Sequence, residues 1–302
     1  DTIKLLADID LSQTITVNKT ITLNMNGKKL YNTSDLWDKP TAEANNWSLI
    51  SVRGSGNLTI TGNGTFAAKE NDCYAVDVQK SATVTIKNGT FIGNIHAVYV
   101  FAGTANVEGG TYSVQQKYPD SAKGDEFVLN CYDANRANGT ARINVTGGTF
   151  KNFNPADNKA EGEGNNFADN SLVVQKNNTV QNNDYYVGNA ANEVIAAASK
   201  GEEIFVLNGT TLTNVPAGVI IQNRTGDRIT VNGKDVELTG DAGYTVPASN
   251  ITIIVPGDTT PAETPKTEDQ KNPSTGANDF VGLAAAAAVV ALLGSAVVLR
   301  KK

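Results

Sequence analysis

The sequence predicts an all-β fold, a parallel β-solenoid with three short strands per coil. The first observation is a unit that recurs in the same order: Leu58–Phe66 (LTITGNGTF), Val84–Phe91 (VTIKNGTF), Ala105–Tyr112 (ANVEGGTY) and Ile143–Phe150 (INVTGGTF). Each copy alternates apolar and polar residues, the period of a strand. The second is the turn that follows, Asn-Gly or Gly-Gly, where the chain needs residues that tolerate positive φ. The third is spacing. The closing aromatics Phe66, Phe91, Tyr112 and Phe150 lie 25, 21 and 38 residues apart, and a repeat of roughly 20–25 residues fits one coil of a stack, longer intervals being insertions.

In chain order, Asp1–Leu30 reads as short strands at Thr2–Leu6, Thr14–Val17 and Thr20–Met25. Four units follow. Their strands are Ser48–Val52, Asn57–Thr61 and Thr65–Ala67; Ala75–Val78, Thr83–Lys87 and Thr90–Ile92; Ala97–Phe101, Ala105–Glu108 and Thr111–Val114; and Phe127–Cys131, Arg142–Val145 and Thr149–Lys151. Ser171–Gln175 reads as the opening strand of a fifth unit. Stacking would place Phe66, Phe91, Tyr112 and Phe150 in one interior column, with Val76, Val78, Val98 and Val100 on another wall. No coil can bury its own apolar face, so its neighbours must do so. Antiparallel hairpins are the competing reading, because Asn-Gly between alternating runs is also a hairpin signal; against it, little strand-like sequence follows each turn.

Insertions at Asn32–Asn46, Gln115–Asp125 and Asn154–Asn170 all fall between the third strand of one unit and the first of the next. They would leave the stack at one corner, a common place for a binding surface. The parallel solenoid is assigned to residues 1–188. Asn189–Lys200 reads as a helix, with Val194, Ile195 and Ala198 on one face and Gly201 as its stop, and opens a smaller β unit over 189–255. Residues 256–271 (PGDTTPAETPKTEDQK) have no large apolar side chain and read as a disordered Pro/Thr linker.

The chain has 302 residues, 40% of them hydrophobic, with 28 glycines and a formal charge of −6. That composition supports a core with many tight turns. It argues against nucleic acid as a partner, since no Lys/Arg patch is available to displace counterions. Two cysteines, Cys73 and Cys131, fall in different columns of the repeat and read as free thiols. The chain opens at Asp1 already in a strand pattern, as expected after removal of a secretory leader or where further sequence precedes it.

Residues 272–302 carry the most specific signal: Asn272-Pro273-Ser274-Thr275-Gly276, then twenty uncharged residues over Phe280–Leu299, then Arg300-Lys301-Lys302. Twenty helical residues span roughly 30 Å, one hydrocarbon core, and the basic tail would stay cytoplasmic. This order resembles the cell-wall sorting signal of Gram-positive surface proteins, Leu-Pro-x-Thr-Gly, with Asn272 where leucine is usual. The resemblance implies that a sortase cysteine attacks the Thr275 carbonyl, cleaves Thr275–Gly276 and transfers Thr275 to a peptidoglycan amine. It implies a secreted protein anchored at the surface of a Gram-positive bacterium, with a C-terminal hydrophobic helix that spans the membrane only transiently. The repeats of 1–188 are similar to right-handed parallel β-helix proteins of the pectate-lyase-like group, which implies a right-handed coil.

Two functional classes follow. An adhesin or glycan-binding ectodomain fits the aromatic and acidic residues of the insertions: Asp35, Trp37, Asp38, Tyr118, Asp120, Asp157, Glu161, Phe167 and Asp169. Rings stack on sugars, while carboxylates accept hydroxyl hydrogen bonds or hold calcium; no other cofactor is expected. Partners would be sortase, peptidoglycan and glycans of host or dietary origin. The alternative is a surface polysaccharide lyase or glycoside hydrolase of the β-helix type. Hydrolysis needs two carboxylates roughly 5–10 Å apart. The solvent-facing positions expected beside the core, Asp77, Tyr99 and Leu129, supply one, and His96 reads as capping a strand edge. No catalytic residues are assigned.

Overall fold

A computed structural model describes residues 1–37, 46–116, 127–156, 167–168, 172–179, 182–188, 191–207, 211–237 and 242–248. The first seventeen strands wind through three parallel sheets. The first sheet holds β1 (Thr2–Lys4), β4 (Thr20–Asn24), β7 (Asn57–Thr61), β10 (Ala82–Ile86), β13 (Gly103–Val107) and β16 (Ala141–Val145), in that spatial order. The second holds β2 (Ile9–Asp10), β5 (Lys29–Tyr31), β8 (Thr65–Ala67), β11 (Thr90–Gly93), β14 (Thr111–Val114) and β17 (Gly148–Lys151). The third holds β3 (Ile15–Val17), β6 (Ser48–Arg53), β9 (Tyr74–Gln79), β12 (Val98–Val100) and β15 (Leu129–Cys131). Each strand pairs in parallel with the strand three later, so three strands make one coil. The described residues form a parallel, solenoid-like all-β fold, and the early strands near the N-terminus are full coils of it.

In-register stacking turns the alternation of each strand into interior columns. The first sheet contributes Ile21, Leu58, Val84, Ala105 and Ile143 as partners in successive strands. The third contributes Ile15, Ile50, Val76, Val98 and Leu129. The second contributes Leu30, Phe66, Phe91, Tyr112 and Phe150. Phe66, Phe91, Tyr112 and Phe150 stack with centroids 4.7, 5.1 and 5.0 Å apart and planes within 13°. The Tyr112 hydroxyl, fully buried, donates to the Gly109 carbonyl at 2.6 Å. A buried polar group needs such a partner. The turn before each ring must be glycine: Gly110 has φ +101°, and a Cβ there would sit 3.0 Å from the Gly89 carbonyl oxygen of the coil beneath.

The chain departs from the expected pattern at three places. Leu172–Thr179 is a strand, β18, but it does not open another coil. With β19 (Asn182–Gly188) it forms an antiparallel hairpin, and β19 pairs antiparallel with β17. Leu129, expected at a solvent-facing position, is fully buried in the interior column, and Asn130 lies beside Tyr99 instead. A short helix, α1 (Asp133–Ala137), fills the connection after β15.

The hairpin closes the coils with two apolar faces. Val173, Tyr185 and Val187 join the core of the solenoid, whereas Val174 joins a second core. That second core is built from α2 (Ala191–Ala197), through Val194 and Ile195, and from β20 (Glu203–Val206), β21 (Thr211–Leu212), β22 (Ile220–Asn223), β23 (Ile229–Val231), β24 (Lys234–Val236) and β25 (Tyr244–Thr245). The expected helix is thus present over a shorter span. Residues 1–250 form one compact unit. The linker 256–271, the sorting signal Asn272–Gly276 and the apolar span 280–299 lie outside the described residues. Among the described residues no helix is long and apolar enough to cross a membrane.

Cys73 and Cys131 are both buried and outside any disulfide. Burial pushes the Cys73 thiol up, and Asp72 adds to the effect.

Truncating the central ring of the stack removes two ring contacts and leaves a void between coils. Phe91→Ala is expected to cost about 3–5 kcal/mol, with a smaller loss for Phe91→Leu. Urea unfolding checks this; equal midpoints for Phe91→Ala and the unchanged chain would refute the stacked core.

Candidate functional site

The outward side of the third sheet differs from those of the other two. Every residue of β6 and of β9 is buried, on both sides of the sheet. A polar layer lies against the strands, and an aromatic strip lies over it.

Asp77 of β9 is the centre of the polar layer and is fully buried. Its carboxyl is hydrogen-bonded by Ser48, Gln79 and Ser51. Arg53 is also buried and donates from Nε to Ser51 Oγ at 2.6 Å. Burial holds the Asp77 carboxyl above the usual carboxylate range, opposed by its three hydrogen bonds and by the Arg53 charge. Ser48 has one hydroxyl proton and two oxygen neighbours, the Ile50 carbonyl at 2.7 Å and Asp77 Oδ1. Ser48 offers that proton to both acceptors, the Ile50 carbonyl and the Asp77 carboxyl. Asp77 was expected to face solvent; the aromatic strip puts it in the interior.

The strip runs across the sheet. Trp37 stacks near Trp47 at 6.2 Å and meets Tyr74 edge-on at 5.3 Å. Trp47 packs edge-on against Tyr99 at 5.9 Å and Phe101 at 6.0 Å, and Phe101 stacks on Tyr132 at 5.0 Å. Its outer members, Trp37 at 38% and Tyr132 at 44%, are exposed large aromatic residues. Burial raises both tyrosine hydroxyls beneath, Tyr99 to about 12 and Tyr74 further.

His96 packs against both Tyr74 and Tyr99, with ring centroids 4.7 and 5.3 Å away. Its Nδ1 is 2.7 Å from the Phe127 carbonyl, so Nδ1 carries the proton, and Nε2 is 3.4 Å from the Asn130 amide nitrogen. Desolvation lowers its pKa to about 4, against the two backbone hydrogen bonds that raise it. His96 is a neutral, buried member of a three-ring cluster in which Tyr74 and Tyr99 also touch, with centroids 5.3 Å apart.

Asp72 positions Trp37. Its carboxylate accepts from the Leu36 N–H at 2.9 Å, the Trp37 N–H at 2.9 Å and Asn32 Nδ2 at 2.7 Å. Asn32 Oδ1 in turn accepts from the Lys69 N–H at 2.8 Å. These bonds fix the start of the first insertion to the next coil.

Of the residues singled out from the sequence, Asp35 and Trp37 lie together at this corner, and Asp35 pairs with Lys69. Phe167 lies elsewhere: it is buried beside Phe153, and its carbonyl accepts from the Val145 N–H at 2.7 Å. Asp38, Tyr118, Asp120, Asp157, Glu161 and Asp169 lie outside the described residues, as do Asn272, Pro273, Ser274, Thr275 and Gly276. Among the described residues no three His, Cys, Asp or Glu side chains are grouped to hold a metal ion. Sequence reasoning missed Trp47, Tyr74 and Tyr132. Tyr99 and Phe101 alternate with the interior Val98 and Val100, but Tyr74 has the same parity as the interior Val76 and Val78, so period 2 does not mark it as an outward ring. No known protein family, curated protein or solved structure matches the chain.

His96 is the chain's single histidine, so its imidazole resonances need no assignment by mutation. Its folded pKa is depressed, so its contribution to stability is complete above the unfolded value of about 6.5 and is lost as pH falls toward about 4. The loss is expected to be about 3 kcal/mol over that window. An NMR titration showing an imidazole pKa near 6.5 in the folded chain would refute the buried site.

Proposed function

We propose that this chain is a cell-wall-anchored bacterial surface protein whose β-helical ectodomain binds glycans, as an adhesin does. The observation that carries the binding is the aromatic strip, with Trp37 and Tyr132 exposed at its outer edge. Sugar rings have apolar faces, and a rigid exposed aromatic ring offers them contact area at little entropic loss. Trp37 is held by two neighbouring rings and by Asp72, so its face is set before a ligand arrives. A right-handed coil, the usual hand of parallel crossovers, belongs to the same reading. Calcium bridging through the acidic insertions is compatible with it.

Anchoring rests on Asn272–Lys302, read as a sorting signal from its order alone. A sortase would join Thr275 to peptidoglycan after cleaving Thr275–Gly276. In the source bacterium, Thr275→Ala is expected to move the protein from the wall fraction to the membrane fraction. Release of the variant with the wall would refute the sortase assignment.

Asp77 and His96 favour a second reading, a polysaccharide lyase or glycoside hydrolase, because strongly perturbed titratable groups gather at catalytic sites. Both side chains are buried, whereas a general acid or base must reach its substrate within hydrogen-bond distance. Binding is therefore the stronger reading. A glycan array with the full chain, with calcium and with chelator, separates the two. Specific retention without new reducing ends or unsaturated products is expected. Trp37→Ala should weaken retention about fivefold, a stacking contact being worth about 1 kcal/mol, while the unfolding midpoint stays within the ordinary range of surface substitutions. Product release would favour the enzyme instead.

A further inference from the structure

The last full coil differs from the others at one corner. Between the third and first sheets, the earlier connections are two or three residues long, but β15 and β16 are joined by nine, residues 132–140, including α1. None of the residues of α1 is buried, so core packing does not account for the insertion. Between it and β16 lies a cavity of about 450 Å³, lined by Arg136, Asn138, Arg142, Asn144, Cys131 and Phe167 among others. That volume falls in the usual range of small-molecule sites.

Its lining contains two arginines and no acidic residue. Arg136 is 3.5 Å from Asp133, whereas Arg142 has no acidic partner among the described residues. Arg142 Nε donates to the Gly139 carbonyl at 3.2 Å, and a Cβ on Gly139 would come 3.1 Å from Arg142 Nη2. The glycine lets the guanidinium lie against the turn, held at one nitrogen with its terminal nitrogens uncommitted. Asn144 Nδ2 donates to Asn106 Oδ1 at 3.0 Å, which leaves the Asn144 amide oxygen to accept from a ligand hydroxyl. Asn138 Oδ1 accepts from Thr140 N and Oγ1, which leaves the Asn138 NH2 group to donate. Phe167 adds an apolar wall.

The position of Arg142 is also unusual. It ends an outward row of the first sheet, Thr20, Asn57, Thr83, Thr104 and Arg142. The adjacent row is Thr22, Thr59, Thr85, Asn106 and Asn144. Arg142 is the one charge in these two rows, and it faces the cavity.

We propose that this cavity is a binding site for a carboxylate-bearing sugar, a uronic acid, with Arg142 gripping the carboxylate and Asn138 and Asn144 reading its hydroxyls. A planar guanidinium matches a carboxylate through two parallel N–H···O bonds. The lining contains no lysine, the point charge that commonly serves phosphate. The paired amides suit the hydroxyls of a sugar rather than a bare inorganic anion. The site uses residues apart from the aromatic strip, so either can fail without the other.

The test is calorimetric or NMR titration of the full chain with glucuronate and galacturonate, with glucose and galactose as neutral counterparts, and with sulfate as a bare anion. Saturable binding of a uronate is expected, with the neutral sugars and sulfate at least about tenfold weaker. Arg142→Gln should lose about tenfold or more, in line with a charged hydrogen-bond pair. Arg228→Gln removes the same charge from an exposed ion pair elsewhere and should change nothing. Absence of uronate binding, equal binding of sulfate, equal binding of the neutral sugars, or full binding by Arg142→Gln each overturns the proposal.

Discussion

A single coil of this chain cannot enclose anything. Three strands of two to six residues make a triangle of backbone with apolar side chains pointing inward, and only the coils on either side can shut water out. Everything else follows from that dependence. Like must sit on like, because parallel in-register pairing carries each position onto its counterpart in the next coil. The column from Leu30 through Phe66, Phe91 and Tyr112 to Phe150 is the clearest result. Its rings are flat against one another, and the turn glycines below them leave no room for a Cβ. Even the one polar ring, Tyr112, meets its hydrogen-bond requirement within its own turn, by reaching the Gly109 carbonyl.

The same stacking makes the outward side of the third sheet a structural feature in its own right. Asp77, Arg53, Gln79 and the two serines form a second, polar interior between the sheet and the aromatic strip. Burial raises Asp77 and lowers His96 in the direction that keeps both uncharged. Trp37 and Tyr132 therefore rest on hydrogen-bonded polar side chains and packed rings, although the buried Asn130 Oδ1 beside Tyr99 has no hydrogen-bond partner among the described residues. Trp37 itself belongs to the first insertion, and the Asp72 bonds to Leu36 and Trp37 tie that loop to the coil beneath.

The repeat was legible in the sequence because identical structural positions demand similar residues. The alternation, the Asn-Gly and Gly-Gly turns and the Thr-aromatic closure marked most strands of the four units. Register within a strand was less legible. Leu129 and Asn130 sit in a stretch where Phe127, Val128 and Leu129 are consecutive apolar residues, so period 2 alone does not say which faces inward. The closing hairpin was missed for a related reason. Val173 and Val174 are both buried, on opposite sides, and such a pair reads as any buried strand. Of the candidate site, Trp37 was legible as an aromatic residue in a polar insertion. Arg142 was not, since a charged residue on the outer face of a strand is ordinary until the cavity beside it is known.

The hairpin of β18 and β19 has a further consequence. A stack of coils held only by nearest neighbours is close to a one-dimensional array, and such an array frays from its ends. Here the terminal coil is not an end. Val173 lies in one core and Val174 in the other, and across the sheet Phe205 and its neighbours Ile204 and Val206 are divided in the same way. Peeling away the last coil would strip a wall from the C-terminal core as well. The two cores share that wall, so the loss of either is felt at once by the other.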